Sequence, residues 1–313
     1  GIHRFDPADQ QFDDALVSSA VIWIQKGKPT TERLTNFSYG GNFEQPRVTR
    51  QIPLIELASS QKWSGLVFCA KEEATHTYNI GDFFFIKRGL ATGSNSFFVV
   101  SEAKARELGI SDRFLQPVLP SPRNLEQNIV DTDERGEPLI QERRFLIRCE
   151  LSEEELRKVN PSLADYFDSG RSIATDTYIC RHRTPWFSQE NRPAAPIVCT
   201  YMGRNLNNRE KPFRFILNHS EATALNVYLM LYPKGLLAQA LELNPNLIDE
   251  VWKILSSMDA KSLLDEGRVY GGGLYKLEPR ELAKAPADEL YKIVSATLGN
   301  QLGQLQIFGQ QVA

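Results

Sequence analysis

Lys87 and Arg88 stand side by side at the end of an apolar run. From there "RGLATGSNSFF" (88–98) carries the chain into a second one. Two adjacent cations can form charge-assisted hydrogen bonds to phosphate. Gly89 and Gly93 let the backbone turn and approach a surface closely. Thr92 and Asn95, with Ser94 and Ser96, add short donors and acceptors. A second group lies in "GRNLNNREKP" (203–212): Arg204, Asn205 and Arg209. Asparagine pairs with two atoms of adenine, and arginine with two of guanine, in a major groove. Arg181 and Arg183 lie in the same charged region. From Arg171 to Arg214 there are eight Lys/Arg against three Asp/Glu, interleaved with Tyr178, His182, Trp186, Phe187 and Tyr201. Cations mixed with aromatics in turn-rich segments suit a polyanion with exposed bases. The plainer alternative is a solvated loop face, with the 87–88 pair on an ordinary β-hairpin facing water.

Other chemistries lack their residues. There is no Gly-x-Gly-x-x-Gly between a strand and a helix, no Walker A sequence and no Gly-x-Ser-x-Gly elbow. "YGGGLYKL" (270–277) reads as a turn before a helix. The four histidines, at 3, 76, 182 and 219, include no His-x-x-x-His pair. His219 reads as a turn histidine satisfied by backbone rather than a catalytic base. A zinc site from Cys180, His182 and Cys199 matches no tetrahedral spacing template. Carboxylate pairs such as Asp13–Asp14 and Glu72–Glu73 read as solvated surface. No catalytic residue and no metal ligand is assigned.

Elements must hold these groups in place. Phe83 to Ile86 and Phe97 to Val100 are strand candidates, rich in aromatic and β-branched residues. "SEAKARELGI" predicts a short helix with Ser101 as N-cap and Gly109 as its stop. "LQPVLPSPRNL" is extended or turning, because of its prolines. "VDTDERG" is a polar turn before a strand over Phe145 to Cys149. "LSEEELRKVNPSLADYFDSG" reads as helical, with a capping box from Ser152 and Glu155. Ile197 to Met202, Phe213 to Leu217 and "NVYLMLYP" are further strands, the first two joined by the hairpin tip 203–212. "GLLAQALEL", "NLIDEVWKILSSM" and "ADELYKIVSATL" follow as amphipathic helices.

Composition frames the chain. It has 313 residues, 42% hydrophobic and 24% charged, with a net charge of −3. Such a chain buries a sizeable core, and any anion-binding surface on it must be local. Cys69, Cys149, Cys180 and Cys199 form no Cys-x-x-Cys pair, and no secretory signal opens the sequence. That pattern predicts reduced, buried thiols and a cytoplasmic setting. No apolar run reaches the roughly 20 residues of a membrane span. Residue 1 is Gly, and "AVIWI" (20–24) reads as a strand buried on both faces. The expectation is the C-terminal part of a longer protein.

Several segments together resemble the C-terminal half of gamma-class adenine-N6 DNA methyltransferases, the Taq type and its larger restriction-modification relatives. "QQFDDALVSSAVIWIQKGK" resembles the last strands of the catalytic sheet. "FFIKRGLATGSNSFF" resembles the recognition domain's first hairpin, and "LQPVLPSPRNL" the segment after it. "PIVCTYMGRNLNNREKPFRFILNHS" resembles a hairpin that meets DNA, and "GGGLYKLEPRELAKAP" the closing helix.

The resemblance implies an α+β fold. Residues 1–45 would be a strand-bearing remnant of the α/β catalytic domain. Residues 46–313 would be a target-recognition domain, a mixed β core followed by C-terminal helices. It implies double-stranded DNA as partner, touched by Lys87, Arg88, Thr92, Gly93, Asn95, Arg123, Arg181, Arg183, Arg204, Asn205 and Arg209. The family's Asn-Pro-Pro-Tyr/Phe motif and its Gly-rich S-adenosylmethionine motif are missing; "NPNLID" and "VNPSLADYF" lack the second proline. S-adenosylmethionine and catalysis would then belong to another half, in cis or in trans, with no cofactor in this chain. The rival from a different class is an interaction or specificity subunit that docks a partner. A nuclease subunit would need an Asp…Glu-x-Lys metal site, which "EEATHTY" and "EELRKV" do not supply. A small-molecule hydrolase would need a nucleophile–base pair.

Overall fold

The computed structural model describes residues 1–9, 11–15, 17–27, 33–60, 63, 66–67, 77–204, 212–260, 262–263, 267–270 and 274–310. The first sheet comprises β1 (Ile2–Arg4), β2 (Ala20–Ile22), β3 (Leu34–Gly41) and β4 (Pro46–Pro53), in the order β2-β1-β3-β4. Helix α1 (Leu54–Ser59) follows β4, and Leu57 packs with Ile2, Phe37, Ile52 and Val67. The division expected at 45/46 coincides with the turn of the β3–β4 hairpin. The expectation for "AVIWI" is corrected. β2 is an edge strand with all three residues exposed, and Ile24 beyond it is 88% exposed. Its apolar side chains find no second face within the described residues.

The next stretch builds a smaller sheet. It contains α2 (Ile80–Phe83), β5 (Phe84–Arg88), α3 (Asn95–Phe98), β6 (Val99–Ser101), α4 (Glu102–Glu107), β7 (Leu115–Val118), β8 (Ile129–Val130) and β9 (Arg144–Ile147). Strands β6, β9 and β7 form a three-stranded antiparallel sheet. Ser101 caps α4, accepting from Lys104 N at 3.2 Å, and Gly109 ends that segment with φ +62°. Asp133 organises the polar turn, its Oδ1 accepting from the backbone N–H of Arg135 and Glu137. Helices α5 (Glu153–Val159), α6 (Pro161–Ser169), α7 (Arg171–Asp176) and α8 (Tyr178–Arg181) cover the sheet. The Ser152–Glu155 capping box is present. The single helix expected over 152–169 is broken at Asn160, because Pro161 removes the N–H that would continue it. Asn160 instead caps α6 through Leu163 N.

The larger sheet comes from β10 (Ile197–Thr200), β11 (Met202–Arg204), β12 (Phe215–Asn218) and β13 (Tyr228–Pro233). Its order is β5-β13-β10-β12-β8, with β11 leaving to join a separate sheet. Helices α9 (Gly235–Leu243) and α10 (Leu247–Ser257) precede the hairpin of β14 (Arg268–Tyr270) and β15 (Leu274–Lys276). Then come α11 (Pro279–Leu282) and α12 (Asp288–Gln310). Alternation places Ile197, Cys199, Phe215, Leu217, Leu229 and Leu231 against α9, α10 and α12. Val198, Ile216, Tyr228 and Met230 take the opposite face, against Leu119, Leu125 and Val130. Both faces are covered, so these strands read in sequence as unbroken apolar runs. "YGGGLYKL" joins two antiparallel strands rather than leading directly into a helix. The architecture is α+β, a mixed β core with C-terminal helices. Among the described residues no helix is long and apolar enough to cross a membrane.

Candidate nucleic-acid interface

The two runs flanking 88–98 do not pair with each other. β5 pairs with β13 and β6 with β9, so the segment between them crosses from one sheet to the other. Residues 95–98 form one turn of helix instead of a strand start. The crossing is tightly anchored. Gly89 N and Leu90 N donate to Tyr228 O and Ala224 O at 2.8 and 2.9 Å. A Cβ on Gly89 would lie 2.0 Å from Leu225 O. Arg183 holds the next two residues through Nη2 to Ala91 O and Nη1 to Thr92 O, each 2.9 Å. Its burial pulls the guanidinium below its usual pKa. Cys180 Sγ lies 3.6 Å from Thr92 O, beneath Gly93, whose φ is +93°.

This anchoring sorts the residues expected to touch a ligand. Thr92 is buried, and its hydroxyl donates to Asn95 Oδ1 at 2.7 Å, so it faces inward. Gly93 packs on α8, and Arg183 is turned to the loop and to Gln189 Oε1. These three hold the loop. Asn95 is exposed at the start of α3, and Arg181 is exposed on α8. Lys87 and Arg88 are exposed at the end of β5, on the lip of an open groove of about 600 Å³.

Across that groove lie Ile179, Glu190, Arg192 and Asn226. Arg192 was not singled out from sequence, where it is one more arginine in the basic stretch. Its Nη1 donates to Arg88 O and its Nη2 to Glu190 Oε1, both at 2.5 Å. Its buried Nε has no hydrogen-bond partner among the described residues. Arg88 donates from Nε to Asn226 O at 3.0 Å, and its guanidinium lies 4.1 Å from the Tyr201 ring centroid. The Tyr201 hydroxyl donates to Glu278 Oε1 at 2.8 Å, and Lys276 Nζ reaches the same oxygen at 2.9 Å. The Tyr201 hydroxyl first, and Glu278 second, hold the Lys276 ammonium well above the usual lysine range. Two of the guanidiniums lining the groove, those of Arg88 and Arg192, are thus held in place by named partners.

Register extends the picture. Arg88, Leu229, Cys199 and Phe215 share one row across β5, β13, β10 and β12. The chain therefore leaves β10 and re-enters β12 at the end that carries Arg88, within three strand spacings, roughly 14 Å. Arg204 lies in β11 opposite Leu274. Asn205 and Arg209 lie outside the described residues. Arg123 is exposed on the loop before β8. That loop is held by Arg214, which reaches the carbonyls of Pro122, Leu125, Glu126 and Gln127 and the side chain of Asn128. Arg214→Met is expected to lower stability by about 2 kcal/mol in urea unfolding, since it strands several carbonyls at once. An unchanged midpoint would mean the loop does not depend on it.

The zinc and base candidates are not assembled. Among the described residues no group of three or more His, Cys, Asp or Glu is placed to hold a metal ion. Cys149, Cys180 and Cys199 are free and buried, and burial pushes the Cys199 thiol far up. Cys69 and His76 lie outside the described residues. The backbone N–H of His219 donates to Val130 O, and its Nε2 sits 3.7 Å from Asp249 Oδ1.

Fold and site together define a mixed α+β module with a rigid cationic groove at one end of its main sheet. Residues 66–306 match the family described as "Type II methyltransferase M.Eco57I, C-terminal domain", and the chain belongs to that family. It is similar to the type II methyltransferase M.XamI of Xanthomonas campestris pv. amaranthicola. The two are 25% identical over 287 residues, covering 90% of this chain and 50% of that protein. It is also similar to M.AccI of Acinetobacter calcoaceticus, 28% identical over 202 residues, covering 64% of this chain and 34% of that protein. The chain thus spans about half the length of the first relative and a third of the second. Among solved structures it resembles the Type IIL restriction-modification enzyme MmeI in complex with DNA. The TM-score is 0.46 and the identity 8%, over 91% of this chain and 34% of that one.

Proposed function

We propose that this chain is the DNA-recognition module of a type II, adenine-N6-specific DNA methyltransferase of a restriction-modification system. It grips a specific duplex sequence and presents the target adenine to an S-adenosylmethionine-dependent catalytic half, in cis or in trans. The observation that carries this reading is the cationic lip of Lys87, Arg88 and Arg192. It stands at the sheet end where the chain leaves β10 and re-enters β12. Membership of the methyltransferase C-terminal family supports it. The groove does not suit S-adenosylmethionine itself. A sulfonium would face three cations, and the one lining carboxylate, Glu190, is already paired with Arg192.

The test is binding of the chain to a randomised duplex pool at several salt concentrations. Enrichment of one sequence is expected, with affinity falling by about 0.9 log units per log unit of salt for each phosphate neutralised. Absence of binding, or binding insensitive to salt, would overturn the reading. The exposed edge of β2, with Val21, Ile22 and Trp23 at 43%, 59% and 40% exposure, supports a second role beside it. An apolar edge unpaired among the described residues suits strand addition by a protein partner such as the catalytic half.

A further inference from the structure

The short helix α8 carries an arrangement that neither the fold nor the groove's charges require. Tyr178 is 74% exposed, among the most exposed of the large side chains. Its ring does not lie free. It meets the His182 ring one helical turn on, with centroids 4.2 Å apart and planes at 39°. His182 Nδ1 lies 2.7 Å from Tyr178 O, so Nδ1 carries the proton and donates. In the neutral ring this makes Nε2 the acceptor. Ile179, between them in sequence, is 37% exposed and lines the cationic groove.

Beneath these exposed rings the helix is clamped. Cys180 is fully buried against Thr92 O, Thr177 Oγ1 donates to Ile173 O at 2.9 Å, and Arg183 ties the next turn to residues 91 and 92. An aromatic pair held out in water on a fixed base is pre-organised, so a ligand stacking there orders little on binding. The surroundings select the ligand. Lys87, Arg88 and Arg192 line the adjoining groove, and Arg181 lies on the same helix. A flat π-faced group joined to a polyanionic backbone matches both features.

We infer that Tyr178, braced by His182, is a stacking platform for a nucleobase displaced from the bound duplex, whose phosphates follow the groove. This rests on the DNA-recognition reading. Its use would be to offset part of the unstacking that accompanies extrusion of a target base.

The test compares a perfect duplex with one carrying a single unpaired 2-aminopurine. The unaltered chain is expected to bind the bulged duplex about tenfold more tightly, the order of one base–aromatic stack, and to quench the 2-aminopurine fluorescence. Tyr178→Ala should abolish both the preference and the quenching. Tyr178→Trp should retain both, which separates stacking from a general defect. Lys87→Ala should weaken both duplexes alike and leave the preference intact. Equal binding of the two duplexes by the unaltered chain, or preference and quenching retained in Tyr178→Ala, overturns the inference. If the unaltered chain binds neither duplex, the DNA-recognition reading falls and takes this inference with it.

Discussion

Gly93→Val is expected to destabilise the chain by about 3 kcal/mol, the sum of backbone strain and overpacking. In a chain of this size that is a fall in melting temperature of about 5 °C. Two independent causes act at the same atom. The backbone at Gly93 has φ +93°, which a β-branched residue strongly disfavours. A Cβ there would also lie 2.6 Å from Cys180 Sγ, with Thr177 Oγ1 at 3.4 Å and Ile179 Cβ at 3.6 Å. Cys180 has nowhere to go, because it is fully buried in the aromatic core of the smaller sheet. Helix α8 must therefore move, and with it the Arg183 bonds to residues 91 and 92. DNA affinity should fall because the groove loses its shape, with the salt slope for each phosphate still neutralised unchanged. Gly93→Ala keeps the clash and the positive φ but lacks the branch, and should lie between. Unfolding midpoints of the three proteins, followed by circular dichroism, make the check. A Gly93→Val midpoint equal to that of the unaltered chain would show that α8 does not rest on this loop.

Much of the scaffold was legible because local chemistry decides it. Ser101, Ser152 with Glu155, and Asp133 each satisfy backbone donors within a few residues, so their sequence signatures carry over directly. Ile197 to Met202, Phe213 to Leu217 and "NVYLMLYP" were legible as strands because both faces of the main sheet are covered, although the first ends at Thr200 and Met202 joins β11 in a separate sheet. Strand partners were not legible. A period of two reports which face a side chain takes and says nothing of which strand lies alongside. β5 finds its neighbour in β13, far along the chain, rather than in the next apolar run. Phe97 to Val100 reads as a strand by composition, but the N–H groups of Phe97 and Phe98 donate to Ser94 O and close a turn of helix, so the strand begins at Val99. "AVIWI" misled for a different reason. An apolar run reports an affinity for burial, yet Ala20, Val21, Ile22 and Ile24 are exposed, and Trp23 meets Phe43 edge-on at 5.0 Å.

The arginines show the limit most sharply. Arg88, Arg183, Arg192 and Arg214 are identical letters in one basic region or beside it. Arg183 and Arg214 give their donors to backbone carbonyls; Arg192 braces the lip; only Arg88 of the four was both foreseen and found exposed on the groove. A guanidinium carries five donors, and whether they meet carbonyls or solvent depends on loops folding back from elsewhere. Sequence could locate the basic region and had no means of orienting its members.

That orientation underlies the second large expectation, a double substitution at the lip. Lys87→Ala with Arg88→Ala should make the dependence of log affinity on log salt shallower by about two units, one for each phosphate no longer neutralised. The loss should be equal on all sequences, since contacts to phosphate carry no base information. The single variants should differ in stability. Lys87 is exposed, and its truncation should leave stability within about 0.5 kcal/mol. Arg88→Ala forfeits the stack on Tyr201 and the bond to Asn226 O, and should cost about 1 kcal/mol of folding stability as well. Arg88→Lys should keep most of the salt slope, because the charge remains, while losing the flat stack. Titrations of one cognate and one unrelated duplex at several salt concentrations, with unfolding midpoints alongside, separate these effects. A double variant with an unchanged slope would remove this lip from the DNA-binding surface. A loss confined to the cognate duplex would make Lys87 and Arg88 readers of bases instead of clamps on phosphate.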